Sequence, residues 1–383
     1  MFKNTIAIFL LGFIFHSSLQ AQIQNPRNVK YDWKTDTTKH TIDLSELILV
    51  ATKGLFPIID YPKFVGKEEG LKTFFTHEPV ISVEIEGKAK AYPLNMLTYH
   101  EMVNDTLAGI PLLPSYCPLC NSGMVFDRRL NFEGKEYTLE FEVSGFLRNS
   151  NMVMFDRETE SWWQQLMGDA IVGKFAGAEL DIIPSMIISV EEFFESYPNG
   201  LILSKETGYE KTMERYGSNP YYHYDSISKN PYSRFFNASD VDGRLPAMAR
   251  VIDIQDNGKY KIYPFTAIAN KGVINDKFGS KNIVIFYLSG TVSNMDEREL
   301  SQSKDVGSVT VFNPVLDGKL LTFSKKSEVF IDSQTHSKWD ITGKCIKGKM
   351  KGKQLFIEAH SNHFAFSWLA FFPDTIIYGL EEE

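Results

Sequence analysis

Three cysteines in 383 residues are too few for a disulfide-built scaffold. A basic excess is also missing: Lys and Arg number 40 against 48 Asp and Glu, for a net charge of −8. The basic residues are scattered, which leaves no electrostatic footprint for nucleic acid or an anionic membrane surface. After the first fifteen residues no long apolar run occurs, so no later segment reads as a membrane span. A phosphate-binding glycine loop, a G-x-S-x-G elbow and an H-E-x-x-H pair are absent too.

The remaining composition is that of a globular protein, 43% hydrophobic and 23% charged, long enough for two ordinary domains or one large one. At the N-terminus Lys3 precedes the apolar run "IAIFLLGFIF" (Ile6–Phe15), and "HSSLQAQ" follows, with a small residue at Ala21. This pattern predicts a secretory signal peptide over residues 1–21; an uncleaved anchor is the alternative. No cysteine stands near the cleavage point, which argues against lipidation. The expected location is therefore outside the cytoplasm, periplasmic or secreted, where a disulfide persists.

The chain matches itself. "GKAKAYPLNMLTYHEMVNDTLAGIPLLPSYC" lies on "GKYKIYPFTAIANKGVINDKFGSKNIVIFYL" without a gap, setting Tyr92-Pro93 on Tyr263-Pro264, Asn104-Asp105 on Asn275-Asp276 and Tyr116 on Tyr287. Further on, "FDRETESWW" matches "IDSQTHSKW", and Gly168, Gly173 and Gly177 fall on Gly343, Gly348 and Gly352. Several blocks in one order predict an internal duplication.

Within each copy, "PVISVEIEG" and "ARVIDIQDNG" alternate like strands, and "YTLEFEVSG" and "NMVMF" add strand candidates. Short helices are expected after Pro93 and over "VEEFFESYP". The predicted fold is mainly β (α+β), in two pseudo-symmetric β-rich halves. The expected layout is a signal peptide (1–21), an N-terminal extension (22–80), a first repeat (81–204), a connector (205–246) and a second, degenerate repeat (247–381). The connector is polar and rich in Tyr, Pro and Asn, and its aromatics should pack on the halves.

Residues shared by both copies belong most simply to the fold. Asn104-Asp105 suits a turn or cap, the paired Trp a core, and the glycines positive φ. The copies diverge where chemistry concentrates: His100-Glu101 faces Lys271-Gly272, Cys117 faces Leu288, and Cys120 falls in "SGTVSN". A single functional site is expected in the first half, at Cys117, Cys120, His100 and Glu101.

A C-x-x-C pair supports three readings. As a redox pair, its first thiol is activated by neighbours, with His100 stabilising a thiolate and Glu101 taking a proton. As a metal clip it would hold zinc or copper through Cys117, Cys120 and His100, though a second C-x-x-C or paired histidines are lacking. Met96, Met102 and Met124 would suit copper, or serve as core filler. The third reading is a structural disulfide that pins a hairpin in a non-catalytic ligand-binding module. The motif sits between strands, unlike the helix start of a thioredoxin fold.

Lesser candidates are Arg148, Asn149, Asn151, Asp156, Arg157 and Gln164, with an Asp156–Arg157 turn held by salt bridges the expected structure. Cys345 should be a buried free thiol, and "KGKMKGK" a solvated turn.

These motifs resemble bacterial domain-of-unknown-function family 3179. The likeness rests on "AYPLNMLTYHEMVND", "YCPLCNSGMVFDR", "SGFLRNSNMVMFDRETESWWQQLMGDAIVG", "YGSNPYY" and "RLPAMARV", and runs from about Phe56 to Pro373. The family brings no established activity, substrate or cofactor. Some members are described as selenoproteins with selenocysteine in the cysteine motif, and the resemblance thus implies a redox or nucleophilic role for Cys117 or Cys120. Tyr99 stands where family members often carry Trp. The leading expectation is an exported protein with a thiol-based redox site, possessing thiol-oxidoreductase chemistry if it is an enzyme; its redox partner is not legible in the sequence.

Overall fold

The structure, a computed structural model, describes residues 33–380. The expected signal peptide lies outside these residues. Strands hold 40% and helices 15%, so the protein is mainly β. No helix among the described residues is long and apolar enough to cross a membrane.

In the first half, strands Pro79–Ile85 and Lys88–Pro93 form a hairpin, flanked by Met186–Ser189 on one side and Leu201–Leu203 on the other. In the second half, Arg250–Asp256 and Lys259–Pro264 form a hairpin flanked by Asn362–Phe364 and Ile376–Ile377. In each case the first flanking strand is antiparallel and the second parallel. The parallel strand arrives after a short helix, Val190–Ser196 or Ala365–Phe371. A helix follows each hairpin, Leu94–His100 and Phe265–Lys271, starting directly after Pro93 or Pro264. Proline's fixed φ suits this strand-to-helix switch, and it leaves no N–H to satisfy there.

The next strands, all antiparallel, also follow the same order in both halves. Asp105–Leu107, Ile110–Cys117 and Ser122–Asp127 make one meander, and Val273–Phe278, Lys281–Leu288 and Ser308–Asn313 make the other. The halves meet where Met186–Ser189 pairs Ser308–Asn313 at Ile187 and Val309, joining both into a nine-stranded sheet. On the other side Ser361 Oγ donates to Gly123 O at 2.6 Å. A further sheet in each half carries Trp163 or Trp339.

The shared residues do specific work. Trp163 Nε1 donates to Asp156 at 2.9 Å, and Trp339 Nε1 to Asp332 at 3.0 Å; both indoles are fully buried. Gly173 and Gly348 have φ 105° and 110°, and a Cβ there would meet Ser161 and Ser337 backbone at 2.8 and 2.7 Å. Only glycine fits.

Several local expectations change. Asn104-Asp105 is not a turn. Asn104 clamps both backbone groups of Phe141, as Asn275 clamps Phe323, and Asp105 accepts from Lys90 and Tyr92 within the sheet. The Asp156–Arg157 turn with salt bridges is present as expected: Arg157 binds Asp60, Glu140 and Glu142, while Asp156 serves Thr159 and Trp163. "YTLEFEVSG" divides into two strands, Lys135–Thr138 and Phe141–Arg148. The alternation in "PVISV" does not mark an exposed face, since all five residues are buried in the sheet interior. Residues 33–80 are woven into the sheets through strands Ile48–Leu49 and Phe64–Val65. Cys345 is a buried free thiol, as expected.

Candidate functional site

All seven residues of the Leu94–His100 helix are buried, so its end is fixed by packing. Glu101 terminates it with φ 60° and ψ −30°, and its N–H donates to Leu97 O at 2.7 Å. The matching helix ends at Gly272 with φ 70° and ψ −31°. Glycine adopts that backbone freely, whereas glutamate there is strained by about 1–3 kcal/mol. Glu101 O accepts from Tyr116 N at 2.7 Å, which ties the helix end to the strand that terminates in Cys117.

The C-P-L-C segment turns tightly. Pro118–Cys120 form a single 3-10 turn with Pro118 at its start, and Asn121 closes it in the left-handed region at φ 51°. Ser122 then begins the return strand, opposite Cys117. Both sulfurs are free and buried, at 2% and 0% exposure. Cys117 Sγ donates to Ser150 O at 3.8 Å. Burial, followed by the hydrogen bond and charge of Cys120, pushes the Cys117 thiol well above its ordinary range. The bridged hairpin is not the form seen: these are two adjacent thiols.

Glu101 is 7% exposed, and its carboxyl makes no hydrogen bond or ion pair with any described residue. Burial first, and then Cys117, pushes it well above the usual carboxylate range. Burying a lone carboxylate disfavours its charged form. Burial thus opposes a charge on both Glu101 and Cys117, and Cys117 adds to the rise at Glu101.

His100 is placed elsewhere. Its Nδ1 bonds Pro57 O and its Nε2 bonds the Tyr216 hydroxyl, with the rings of Tyr209 and Tyr216 alongside. Both nitrogens are occupied, and neither partner is a thiol. Desolvation lowers the imidazole's proton affinity, partly offset by Pro57 O. Adjacent helix-end residues point to different neighbours, a consequence of the chain reversal at Glu101. Among the described residues no group of three or more His, Cys, Asp or Glu is placed to hold a metal ion. The expected Cys117–Cys120–His100 ligand set is therefore not assembled. Met96 belongs to another part of the core, while Met102, Met124 and Met152 share the thiols' apolar cluster.

The connector supplies what sequence reasoning took for packing alone. Tyr224 OH donates to Leu119 O at 3.1 Å, over the C-P-L-C turn. Burial, then the charges of Glu101 and Cys117, push the Tyr221 phenol up, and its ring lies 6.3 Å from that of Tyr224. The segment is pinned by Asp225, which binds Arg250 at 2.7 Å and Lys304 at 2.8 Å from the second half. Asn294, also from the second half, is buried with Oδ1 unpartnered. Asn121 Nδ2, Ser122 Oγ and Ser150 Oγ likewise lack partners. Four of the non-glycine residues with positive φ, Glu101, Asn121, Asn149 and Ser150, lie on the loops near the thiols. Each such strained residue or unsatisfied atom beside the thiols is a point at which a functional role is worth testing.

Of the lesser candidates, Asn151 and Gln164 hydrogen-bond each other, and Arg148 binds Glu46 at the surface. Tyr221 lies in the quoted "YGSNPYY" and Asn294 ends the "SGTVSN" segment opposite Cys120, but neither was singled out, and Tyr224 lies in no quoted motif. For Tyr224 the only signal was the tyrosine density of the connector.

The architecture and site define a class: a mainly β protein that encloses a dithiol and a lone acid at the junction of two similarly ordered halves. The chain belongs to the family described as "Protein of unknown function (DUF3179)", whose model matches residues 53–375. No curated protein and no solved structure matches the chain.

Proposed function

We propose that the protein is an exported thiol-redox protein in which Cys117 and Cys120 cycle between dithiol and disulfide, with Glu101 handling the Cys117 proton. In oxidation two S–H bonds break and one S–S bond forms, while two electrons pass to an external acceptor and two protons leave. In reduction the Cys117 thiolate released from the disulfide takes its proton from Glu101. The carrying observation is Glu101 itself, a buried acid without a hydrogen bond in a backbone conformation that Gly272 fills at the matched position. His100 serves as a positioning residue that anchors the helix end through Pro57 and Tyr216. Export is supported by the Lys3, Ile6–Phe15 and Ala21 pattern.

The test is differential alkylation after equilibration in dithiothreitol buffers of graded potential. Joint loss of Cys117 and Cys120 from the alkylated pool, with Cys345 retained, supports the reading. Unchanged labelling of all three at every potential defeats it.

We also infer that the two halves arose by duplication. The support is the repeated order of strands and helices, the two Trp–Asp bonds and the two Asn clamps. The layout expected from sequence (81–204, a connector over 205–246, and 247–381) follows that repeat.

A second reading, binding of soft copper(I) by the same two sulfurs, is favoured by the methionines in their cluster, which include Met102, Met124, Met152, Met154, Met248 and Met295. Zinc is less suited, since it wants four ligands. Copper content after purification without added metal separates this reading from the redox one.

A further inference from the structure

Matching the halves places a second location in the fold opposite the dithiol. Leu288 pairs with Ser308 across one strand end just as Cys117 pairs with Ser122 across the other. Beside Leu288 stands the first half's helix Val190–Ser196, which corresponds to the second half's Ala365–Phe371. At the dithiol the matching region is closed over by apolar residues and connector tyrosines. Beside Leu288 there is instead an open cleft of about 570 Å³, within the size range of small-ligand sites.

Its walls are acidic. Glu191, Glu192, Glu195, Glu328 and Asp340 line it, with His77 and no Lys or Arg among the lining residues. Glu192 is 7% exposed, and its Oε2 accepts from Ser189 N at 2.7 Å, Ser308 Oγ at 2.6 Å and Thr291 Oγ1 at 3.2 Å. Its Oε1 is buried and has no partner. The carboxylate is thus held rigidly by one oxygen with the other left to be satisfied. Burial pushes both Glu192 and Asp340 up, partly offset by their hydrogen bonds. The acids are dispersed along the cleft rather than gathered about one point, and no three of them are placed to hold a metal ion. Lys325 lies close enough to feel Glu328 and Glu192 but does not line the cleft.

We propose that this cleft binds a linear organic polycation of the polyamine class, whose separated ammonium groups meet the separated carboxylates, with Glu192 at the floor. A flexible chain with charges several bonds apart fits this dispersed pattern better than a compact divalent ion. The proposal rests on the matching of the halves and is independent of the redox chemistry.

The test is isothermal titration of the full chain with spermidine at about 0.15 M salt, where long-range attraction to the net negative surface is screened. Saturable binding at one equivalent is expected. The double variant Glu195→Gln/Glu328→Gln, both at the surface, should fold normally and weaken binding about threefold per carboxylate, the order of an exposed ion pair. Glu192→Gln should weaken it further. Absence of saturable heat, identical affinity in the double variant, or equal competition by magnesium at matched ionic strength would each overturn the proposal. Protein carrying Cys117→Ser and Cys120→Ser should bind spermidine unchanged, so a failure of the redox reading leaves this result standing, and the reverse.

Discussion

Glu101 and Gly272 end equivalent helices in the same backbone conformation, with φ 60° and 70°. One position is filled by the residue that conformation favours, the other by a buried acid. Replacing Glu101 by Gly removes both the backbone strain and the buried carboxyl. The variant should be more stable than the parent by about 1 kcal/mol or more. Its disulfide should be reduced more slowly, because the proton donor is gone. Chemical denaturation and stopped-flow reduction check the two effects, and a destabilised Glu101→Gly contradicts the strain argument.

Glu78 gives a pH dependence with a definite sign. It is 4% exposed, and burial raises its carboxyl to about 7 from the 4.5 of a free glutamate, with Lys205 acting in the opposite direction. The fold binds this proton more tightly than the unfolded chain does. Its contribution is therefore complete below about 4.5 and is lost as pH rises through about 7. Glu78→Gln should flatten that part of the stability profile. Glu101 acts in the same direction up to its own raised value, and urea unfolding of each single variant across the range separates the two.

His100 discriminates positioning from chemistry. His100→Gln breaks the bonds to Pro57 and Tyr216 and should cost about 1–3 kcal/mol, the scale of a buried polar group left unpaired. The pH dependence of the dithiol potential should keep its shape, since the imidazole bonds neither sulfur. A changed pH profile with unchanged stability would restore His100 to the proton chemistry.

Tyr224 covers the cysteine turn through its bond to Leu119 O. Tyr224→Ala should raise the rate of native-state alkylation at Cys117 and Cys120 at least several-fold, leaving Cys345 in the second half unaffected. Mass-resolved peptide labelling against time reads this directly.

The paired Trp–Asp bonds test the matched architecture. Asp156→Ala strips Trp163 and Thr159 of their acceptor, and Asp332→Ala does the same to Trp339 and Thr335. Each should cost about 2–4 kcal/mol, with similar losses in the two halves.

Some of this was legible in the sequence because similar blocks recur in one order along it. The strand order, the paired tryptophans and the positive-φ glycines repeat, and comparison of the copies isolated His100, Glu101, Cys117 and Cys120. What comparison could not supply was direction. His100 and Glu101 are neighbours in sequence, yet the reversal at Glu101 sends one side chain to Pro57 and Tyr216 and the other to Cys117. Asn104-Asp105 carries turn-forming residue types, but buried backbone groups at Phe141 needed a partner and Asn104 provides it. The connector tyrosines have no periodicity and no counterpart in the matched halves, so only coordinates bring Tyr221 and Tyr224 over the thiols.

The most direct measurement is the mass of the intact protein, alkylated after unfolding, before and after mild oxidation of the native state. The account predicts a shift from three labelled thiols to one, with the remaining label on Cys345 and a Cys117–Cys120 bridge recovered on a single peptide. Three labels persisting after oxidation, with the fold intact, would contradict it.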